Sequence, residues 1–478
     1  MGGSVVARLV VVSNRVALPT ARKQAAGGLS IAVKAAMKGR TGVWFGWSGK
    51  VSENPPTQPQ IIHRNKITFV VLDLSTADYQ EYYSGYANRV LWPTLHYRVD
   101  LAEFTRTDFN GYVRVNQIFA DNLSNIIQPE DIIWVHDYHL MPLARELRRR
   151  GHENPIGFFL HIPYPPPDIL TTLPHHEESL GTLSYYDLVG FQTDNDRDNF
   201  GRYIVMLGGT EGRDGTSFTL DRRTIRVGTF PVGIETAIFA RLARNAERSA
   251  FTRSVEESLG GKRLLVGADR LDYTKGLPNR MEGFAQFLLA YPEWHGRATL
   301  LQITPTSRAD IQEYADMNRA VSELVGRING HHGEADWTPI RYVNRTYSRT
   351  ELAGIYRVAD IALVTPLRDG MNLVAKEYVA AQDPEDPGVL ILSQFAGAAA
   401  DLDAALLINP HEVEAFPGAI KHALEMSLEE RRERHGLMYK KIQEVDIHRW
   451  ARRFLAALAQ TQKAGLLEGI RSFLSAFA

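Results

Sequence analysis

The stretch RLLVGADRLDYTKGLP (263–278) decides the architecture. It opens as a short apolar run, passes through a loop carrying Arg270 and Lys275, and enters a helical pattern. Apolar runs without alternation suit strands buried on both faces, as in a parallel sheet covered by helices. The same unit recurs in both directions. Upstream lie RLVVVSNR (8–15), ITFVVLDL (67–74), DIIWVHD (131–137), IGFFLHIP (156–163), LVGFQT (188–193) and IRVGTFPVGI (225–234). Downstream lie ATLLQIT (298–304), IRYVNR (340–345), IALVT (361–365), GVLILS (388–393) and ALLIN (405–409). Strands alternating with helices at this regularity predict an α/β fold with parallel sheets flanked by helices.

The chain has 478 residues, more than one hydrophobic core accommodates. A polar, helical passage near 232–262 ends in Gly260-Gly261 and reads as the crossing between two doubly wound domains. The expected division is an N-terminal Rossmann-like domain over 1–234, a C-terminal one over 235–450, and a helical tail over 451–478. That tail is expected to pack back on the N-terminal domain, with KAGLLEGIRSFLSAFA (463–478) as a docked amphipathic helix.

Composition removes several function classes. Net charge is −1, so no overall field gathers nucleic acid or an anionic membrane. There is no cysteine, which excludes disulfides, thiolate metal sites and cysteine nucleophiles. No apolar run has the length of a membrane span, and MGGSVVARLVVVSNR (1–15) lacks the marks of a signal peptide, so a cytoplasmic location is expected. Neither GxGxxG nor GxxxxGK[ST] occurs, which leaves dinucleotide oxidoreductases and P-loop kinases without their fingerprints. His175-His176-Glu177-Glu178 and His331-His332 are contiguous and cannot all face one ion, and HEVEA (411–415) lacks the second histidine of a zinc helix. Asp194-Asn195-Asp196 reads better as a helix cap than as a metal motif. No metal site and no cofactor are expected.

Chemistry gathers where the apolar runs end, the place at which open α/β sheets bind ligands. Arg270 and Lys275 are suited to a diphosphate, one as a rigid fork and one as a point charge, although a solvated surface pair fits them as well. In PLRDGMNLVAKEYVAAQ (366–382), Asp369 sits in a Gly-containing turn before a helix whose free amides attract phosphate. A plain turn with Asp369 as its cap is the simpler alternative. Glu377, one turn into that helix, is placed to accept hydrogen bonds from ribose hydroxyls. Gly27-Gly28 stands at the mouth of a helix after the first strand, where the backbone either approaches a phosphate or merely turns. His161 and Asp137 each follow a strand end, positions from which a sugar hydroxyl is oriented. VWFGWSG (43–49) and DYQEYYSGYANRVLWP (78–93) supply flat faces for stacking on sugar rings, or simply core.

With these residues quoted, the chain resembles the trehalose-6-phosphate synthases from about residue 8 to about residue 455. The likeness rests on LVVVSNR, WFGWSG, LWPTLHYR, DIIWVHDYHLMP, GFFLHIPYP, RLDYTKGLP, TPLRDGMNLVAKEYVAAQ and SQFAGAA, in this order. That family consists of retaining glycosyltransferases with two facing Rossmann-like domains, the GT-B arrangement. The resemblance implies transfer of glucose from a nucleotide-glucose, by default UDP-glucose, to glucose 6-phosphate without a metal. It implies that the acceptor meets Arg15, Tyr83, Trp92, Asp137 and Arg308, with Arg15 and Arg308 on its phosphate. It implies that the donor meets Gly27, Gly28, Arg270, Lys275, Tyr347, Asp369 and the segment Leu373, Val374, Ala375, Lys376 and Glu377. His161 and Asp369 are implied on the transferring glucose, with Arg270 and Lys275 on the diphosphate. His161, Asp369, Arg270 and Lys275 are thus the catalytic candidates. Dephosphorylation of the product falls to a separate phosphatase, since no DxDxT string occurs, and a homo-oligomer is compatible with the sequence.

Other readings stay open at this level. A sister glycosyltransferase or pseudo-glycosyltransferase takes another phosphorylated acceptor, and a regulatory subunit has lost its activity. A polymerising synthase of the same fold lacks a phosphate site.

Overall fold

A computed structural model of the protein describes residues 8–18, 28–38, 41–305 and 312–461. The chain divides into two units. Unit 1 comprises Met1–Val232 and Ile447–Ala478, and unit 2 is the continuous stretch Gly233–Asp446.

Among the described residues unit 1 holds ten strands: β1 (Leu9–Arg15), β2 (Gly42–Ser52), β3 (Gln60–Arg64), β4 (Ile67–Ser75), β5 (Ile132–His136), β6 (Ile156–Phe159), β7 (Leu188–Phe191), β8 (Thr210–Glu211), β9 (Ser217–Leu220) and β10 (Arg223–Thr229). Their spatial order is β3-β4-β2-β1-β5-β6-β7-β10-β9-β8. The seven central strands run parallel, while β3, β9 and β8 are short antiparallel additions at the two edges. The order reverses between β1 and β5, whose ends carry Arg15 and His136-Asp137. Burial drives this arrangement: Leu9 to Val12 and Ile133 to Val135 are fully buried, as strands covered on both faces must be.

One face of the sheet is covered by the helix Ile447–Ala459, which belongs to unit 1 although the whole of unit 2 precedes it in sequence. Phe454 stacks on Trp134 at 4.7 Å and 12°. A Cβ at Gly157 or Gly190 would come within 2.8 or 2.7 Å of the Phe454 ring, so β6 and β7 open a groove for it by having none. The return to unit 1 begins at Ile447 rather than at the expected 451, and residues 462–478, with the expected docked helix, lie outside the described residues.

Unit 2 holds β11 (Arg263–Ala268), β12 (Ala298–Ile303), β13 (Ile340–Val343), β14 (Ile361–Val364), β15 (Val389–Ser393) and β16 (Leu406–Ile408). All pairings are parallel, in the order β13-β12-β11-β14-β15-β16. Counted within the unit this is 3-2-1-4-5-6, the doubly wound order of the Rossmann fold, with its switch point between β11 and β14. The core between sheet and helices is built from Leu265, Met281, Phe284, Leu300, Ile361 and Ile391, among others.

Three expectations change in detail. VWFGWSG, read for its aromatic faces, is strand β2. The helix Asp194–Met206 is capped by Thr193, whose hydroxyl accepts from the Asp196 amide, and not by the DND residues themselves. Residues Tyr79–Leu91 form a wide π-helical coil, a form that sequence periodicity does not signal and that often marks functional sites.

Replacing Phe454 by Ala is expected to lower the stability of unit 1 by about 3–5 kcal/mol in chemical denaturation, as buried aromatic truncations do. A loss below about 1 kcal/mol would mean that the returning helix is not part of the cooperative core.

Candidate functional site

In unit 2 the relevant groups collect beyond the strands that flank the switch point. Lys275, 9% exposed, lies in a short turn, and its Nζ is 2.5 Å from Oδ2 of Asp369 in the loop after β14. The turn is fixed at both ends. Asp272 accepts from the Thr274 amide at 3.0 Å and hydroxyl at 2.9 Å, while Gly276 takes φ +63°. A Cβ on Gly276 would stand 2.6 Å from the Thr365 carbonyl oxygen. The Asp369 loop is bonded in turn to the segment after β15. Its amide donates to the Phe395 carbonyl at 3.1 Å, and its carbonyl accepts from the Gly397 amide at 3.1 Å.

Behind this pair lies a residue that sequence reasoning passed over. Arg280, in the helix Leu277–Ala290, is 0% exposed. Its Nη1 donates to Asp269 at 2.6 Å and to Gln302 at 2.9 Å, its Nε to the Thr365 hydroxyl at 2.9 Å, and its Nη2 to the Lys275 carbonyl at 3.4 Å. One guanidinium thus ties the ends of β11, β12 and β14 to the Lys275 turn. The signal was present: within LPNRMEGFAQFLLA, Arg280 falls on the stripe of Leu277, Met281, Phe284 and Leu288, where a charge must be paired.

The helix Leu373–Ala381 starts after Asn372, held at φ 72° and ψ 86° with no side-chain cap on the first amides, and Asn372 Nδ2 donates to Asp369 at 3.1 Å. The cap position therefore falls to Asn372, not Asp369. Leu373 and Val374 are half-buried and Ala375 is buried. Lys376 is fully buried with its Nζ 2.7 Å from Asp401, and burial lowers its pKa against the pull of that carboxylate. Only its backbone is left for a ligand. Glu377 keeps some surface, yet dense surroundings push its carboxyl up to about 7, opposed by the charge of Arg349. Arg349 itself pairs with Glu235 at 3.3 Å and lies over Phe239. Tyr347 is half-buried under the Arg345 guanidinium, 4.7 Å from its ring centre, and Arg270 is exposed.

In unit 1, Arg15 is exposed at the end of β1, its guanidinium 5.6 Å from the Trp47 ring centre. Gly49, at φ +91°, leaves room for it: a Cβ there would be 2.6 Å from Arg15 Nε. Tyr83 leans on the same indole at 5.6 Å and stacks on His139 at 5.8 Å and 11°. Trp92 is 5% exposed, so only an edge of it is open. Asp137 adopts φ 74° and ψ 163°, a region nearly reserved for glycine, which costs of order 1–3 kcal/mol and collects at functional sites. It is held there by its amide, which donates to Phe159 at 2.9 Å, and by its carboxylate, which accepts from the His161 amide at 3.4 Å. The His161 ring lies 3.1 Å, Nε2 to Nδ1, from the fully buried His136. His161 keeps some surface, but burial holds it neutral, pushed down to about 3, and burial together with the neighbouring His161 also holds His136 well below the ordinary histidine value. The helix at Gly28 is present, whereas Gly27 and Arg308 lie outside the described residues. Among the described residues no group of three or more acidic or histidine side chains is arranged to hold a metal, and no helix is long and apolar enough to cross a membrane.

Two doubly wound sheets in one chain, with cations and carboxylates at the switch points, define the class: a glycosyltransferase of the GT-B kind. The chain belongs to glycosyltransferase family 20, whose family model matches residues 7–460. It is similar to a trehalose-6-phosphate synthase of Sinorhizobium fredii, 50% identical over 462 residues that cover 96% of this chain and 100% of that one. It is also similar to a UDP-forming α,α-trehalose-phosphate synthase of Burkholderia xenovorans in complex with glucose-6-phosphate, at 44% identity and TM-score 0.91, covering 94% of this chain and 99% of that one. An Escherichia coli structure bound with UDP-2-fluoro glucose matches at 44% identity and TM-score 0.90, covering 96% and 100%.

Arg280→Met leaves the Asp269 carboxylate buried and unpaired, and is expected to cost unit 2 about 3–5 kcal/mol in denaturant titration. Adding Asp269→Asn should recover part of the loss, because the stranded charge is gone. A double variant as unstable as the single one would remove the ion pair from the explanation.

Proposed function

We propose that this chain transfers glucose from UDP-glucose to glucose 6-phosphate with retention at the anomeric carbon, giving α,α-trehalose 6-phosphate and UDP. The observation that carries it is likeness at 44% identity, over nearly the full chain, to structures holding glucose-6-phosphate in one case and a UDP-glucose analogue in the other. In this reading the bond from C1 to the diphosphate oxygen breaks, and the acceptor hydroxyl oxygen bonds to C1. The acceptor's proton passes to the departing phosphate. Arg270 and Lys275 stabilise the charge that develops there. Lys275 is already held beside Asp369, which supports assigning both to one ligand.

Arg15, Tyr83, Trp92 and Asp137 serve the acceptor, with Arg308 as a second phosphate ligand. Gly27 and Gly28, Tyr347, the helix start Leu373 to Lys376 and Glu377 serve the donor, and His161 and Asp369 the transferring glucose. The chemistry is assigned to fixed cations rather than to a metal. We place the reaction in the cytoplasm, with removal of the product's phosphate left to a separate enzyme.

The test is nucleotide release from UDP-, ADP- and GDP-glucose, each with and without glucose 6-phosphate, in the presence of EDTA. Release that requires glucose 6-phosphate, survives the chelator and is fastest with UDP-glucose is the expected result. Release only with another phosphorylated acceptor would replace this reading by a sister transferase. No release with any pair would point to a regulatory subunit.

Glu377 gives a second expectation. Ribose hydroxyls donate to a carboxylate, so the ionised form binds the donor, and ionisation rises through a pKa of about 7. The donor KM should therefore fall as pH rises from about 6 to about 8. Glu377→Gln should flatten that dependence and raise KM at the alkaline end; a pH-independent wild-type KM would remove Glu377 from the donor site.

A further inference from the structure

The contact between His136 and His161 holds one hydrogen, and where it sits decides what His161 offers to a ligand. Both rings are neutral, so each carries a single N–H. Their contact joins His136 Nδ1 to His161 Nε2 at 3.1 Å, and two arrangements satisfy it. In the first, His136 carries its hydrogen on Nδ1 and donates, so that His136 Nε2 is a bare nitrogen and His161 carries its own hydrogen on Nδ1. In the second, His161 donates from Nε2, and His136 must carry its hydrogen on Nε2.

The surroundings of His136 Nε2 separate the two. This atom is buried and has no partner among the described residues. The rings packed on His136 are those of Trp134 at 4.6 Å, His161 at 5.3 Å and Trp450 at 6.2 Å. The indole nitrogens are donors only, and Nε1 of both Trp134 and Trp450 is itself buried without an acceptor among the described residues. An N–H on His136 Nε2 would be a third buried donor among donors, with nothing to receive it. A bare nitrogen there adds no further unmet donor. Orphaned buried N–H groups are also rarer than under-used acceptors. The first arrangement is favoured on both counts.

We propose that His136 is a positioning residue, fixing His161 as the Nδ1–H tautomer so that His161 acts as a hydrogen-bond donor to a sugar oxygen rather than as an acceptor or a base. The imidazole behind sets the tautomer of the imidazole in front, since which nitrogen is protonated follows from the bond the other one makes. Trp450, from the returning helix, packs on the His136 ring and is itself 1% exposed. The catalytic side of this inference rests on the assignment of His161 to the transferring glucose.

The tautomer can be read in the ligand-free protein without any turnover. In full-length chain labelled with 15N-histidine, long-range 1H–15N correlations distinguish protonated from bare ring nitrogens, with the two residues assigned through His136→Asn and His161→Gln. The expected result is Nδ1–H on both rings and bare Nε2 on both. An Nε2–H on either ring would overturn the proposal, and a single assigned ring suffices where one variant fails to fold, because each arrangement fixes both rings. The kinetic arm compares variants in UDP release from UDP-glucose and glucose 6-phosphate. His136→Leu, which cannot donate to His161, should lower kcat about tenfold while each KM stays within about twofold. His136→Asn, whose amide places a donor near the former Nδ1, should recover most of that loss. A folded His136→Leu with wild-type kcat, or an Asn variant no better than Leu, would overturn the positioning role. Wild-type kcat in His161→Ala would instead sink the assignment of His161 to the sugar, and the ring signals would still decide the tautomer.

Discussion

The constraint on which unit 2 depends is one buried cation. A guanidinium withdrawn from water must keep its partners, and Arg280 has them on three strand ends and on the turn that carries Lys275. Parallel strands leave their carboxyl ends as loose loops, and a doubly wound sheet parts its helices at the switch point. Arg280 fills that gap with a rigid fork. The Lys275–Asp369 pair in front inherits its position from this support and from the loop bonds at Phe395 and Gly397. A charged ligand arriving there meets groups that need little reorganisation.

Unit 1 reaches the same end by different means. Among the described residues its switch point has no buried guanidinium, and order comes from packed rings and from one strained residue. Asp137 sits in a conformation that its own side chain disfavours, secured by bonds to β6 and to the His161 amide. The strain aims its carboxylate while the aromatic floor of Trp47, Tyr83 and His139 holds the neighbouring wall. Polar groups here are set against hydrophobic bodies, whereas in unit 2 they are set against each other.

Much of this was legible in the sequence, for a physical reason. Strands buried on both faces must be apolar throughout, so all twelve apolar runs quoted from the sequence contain strands. Strand β2 was missed because Trp44, Phe45 and Trp47 look like a binding face before they look like a strand. Strands β3, β8 and β9 are short edge additions whose sequences carry little apolar signal. The residues at strand ends were singled out because open α/β sheets bind ligands beyond the carboxyl ends of their strands. What those residues rest upon was not found. The pairing of His136 with His161, the fork of Arg280 and the salt bridge of Lys376 with Asp401 join positions far apart in sequence, and no local pattern encodes such meetings. Arg280 alone left a trace, as a charge on an apolar stripe.

The return of residues 447–459 to the first unit has a bearing on how the protein is made. The groove at Gly157 and Gly190, with Trp134 and Phe159 beside it, stays uncovered on the nascent chain until that helix leaves the ribosome. Unit 2, continuous in sequence, is synthesised in between. At the usual 5–20 residues per second, the interval from the end of β10 to the arrival of Phe454 is roughly 10–45 s. Throughout it the first sheet offers an aromatic face that only a distant segment of the same polypeptide can fill, so newly emerged chains on crowded polysomes carry a common, temporarily sticky surface.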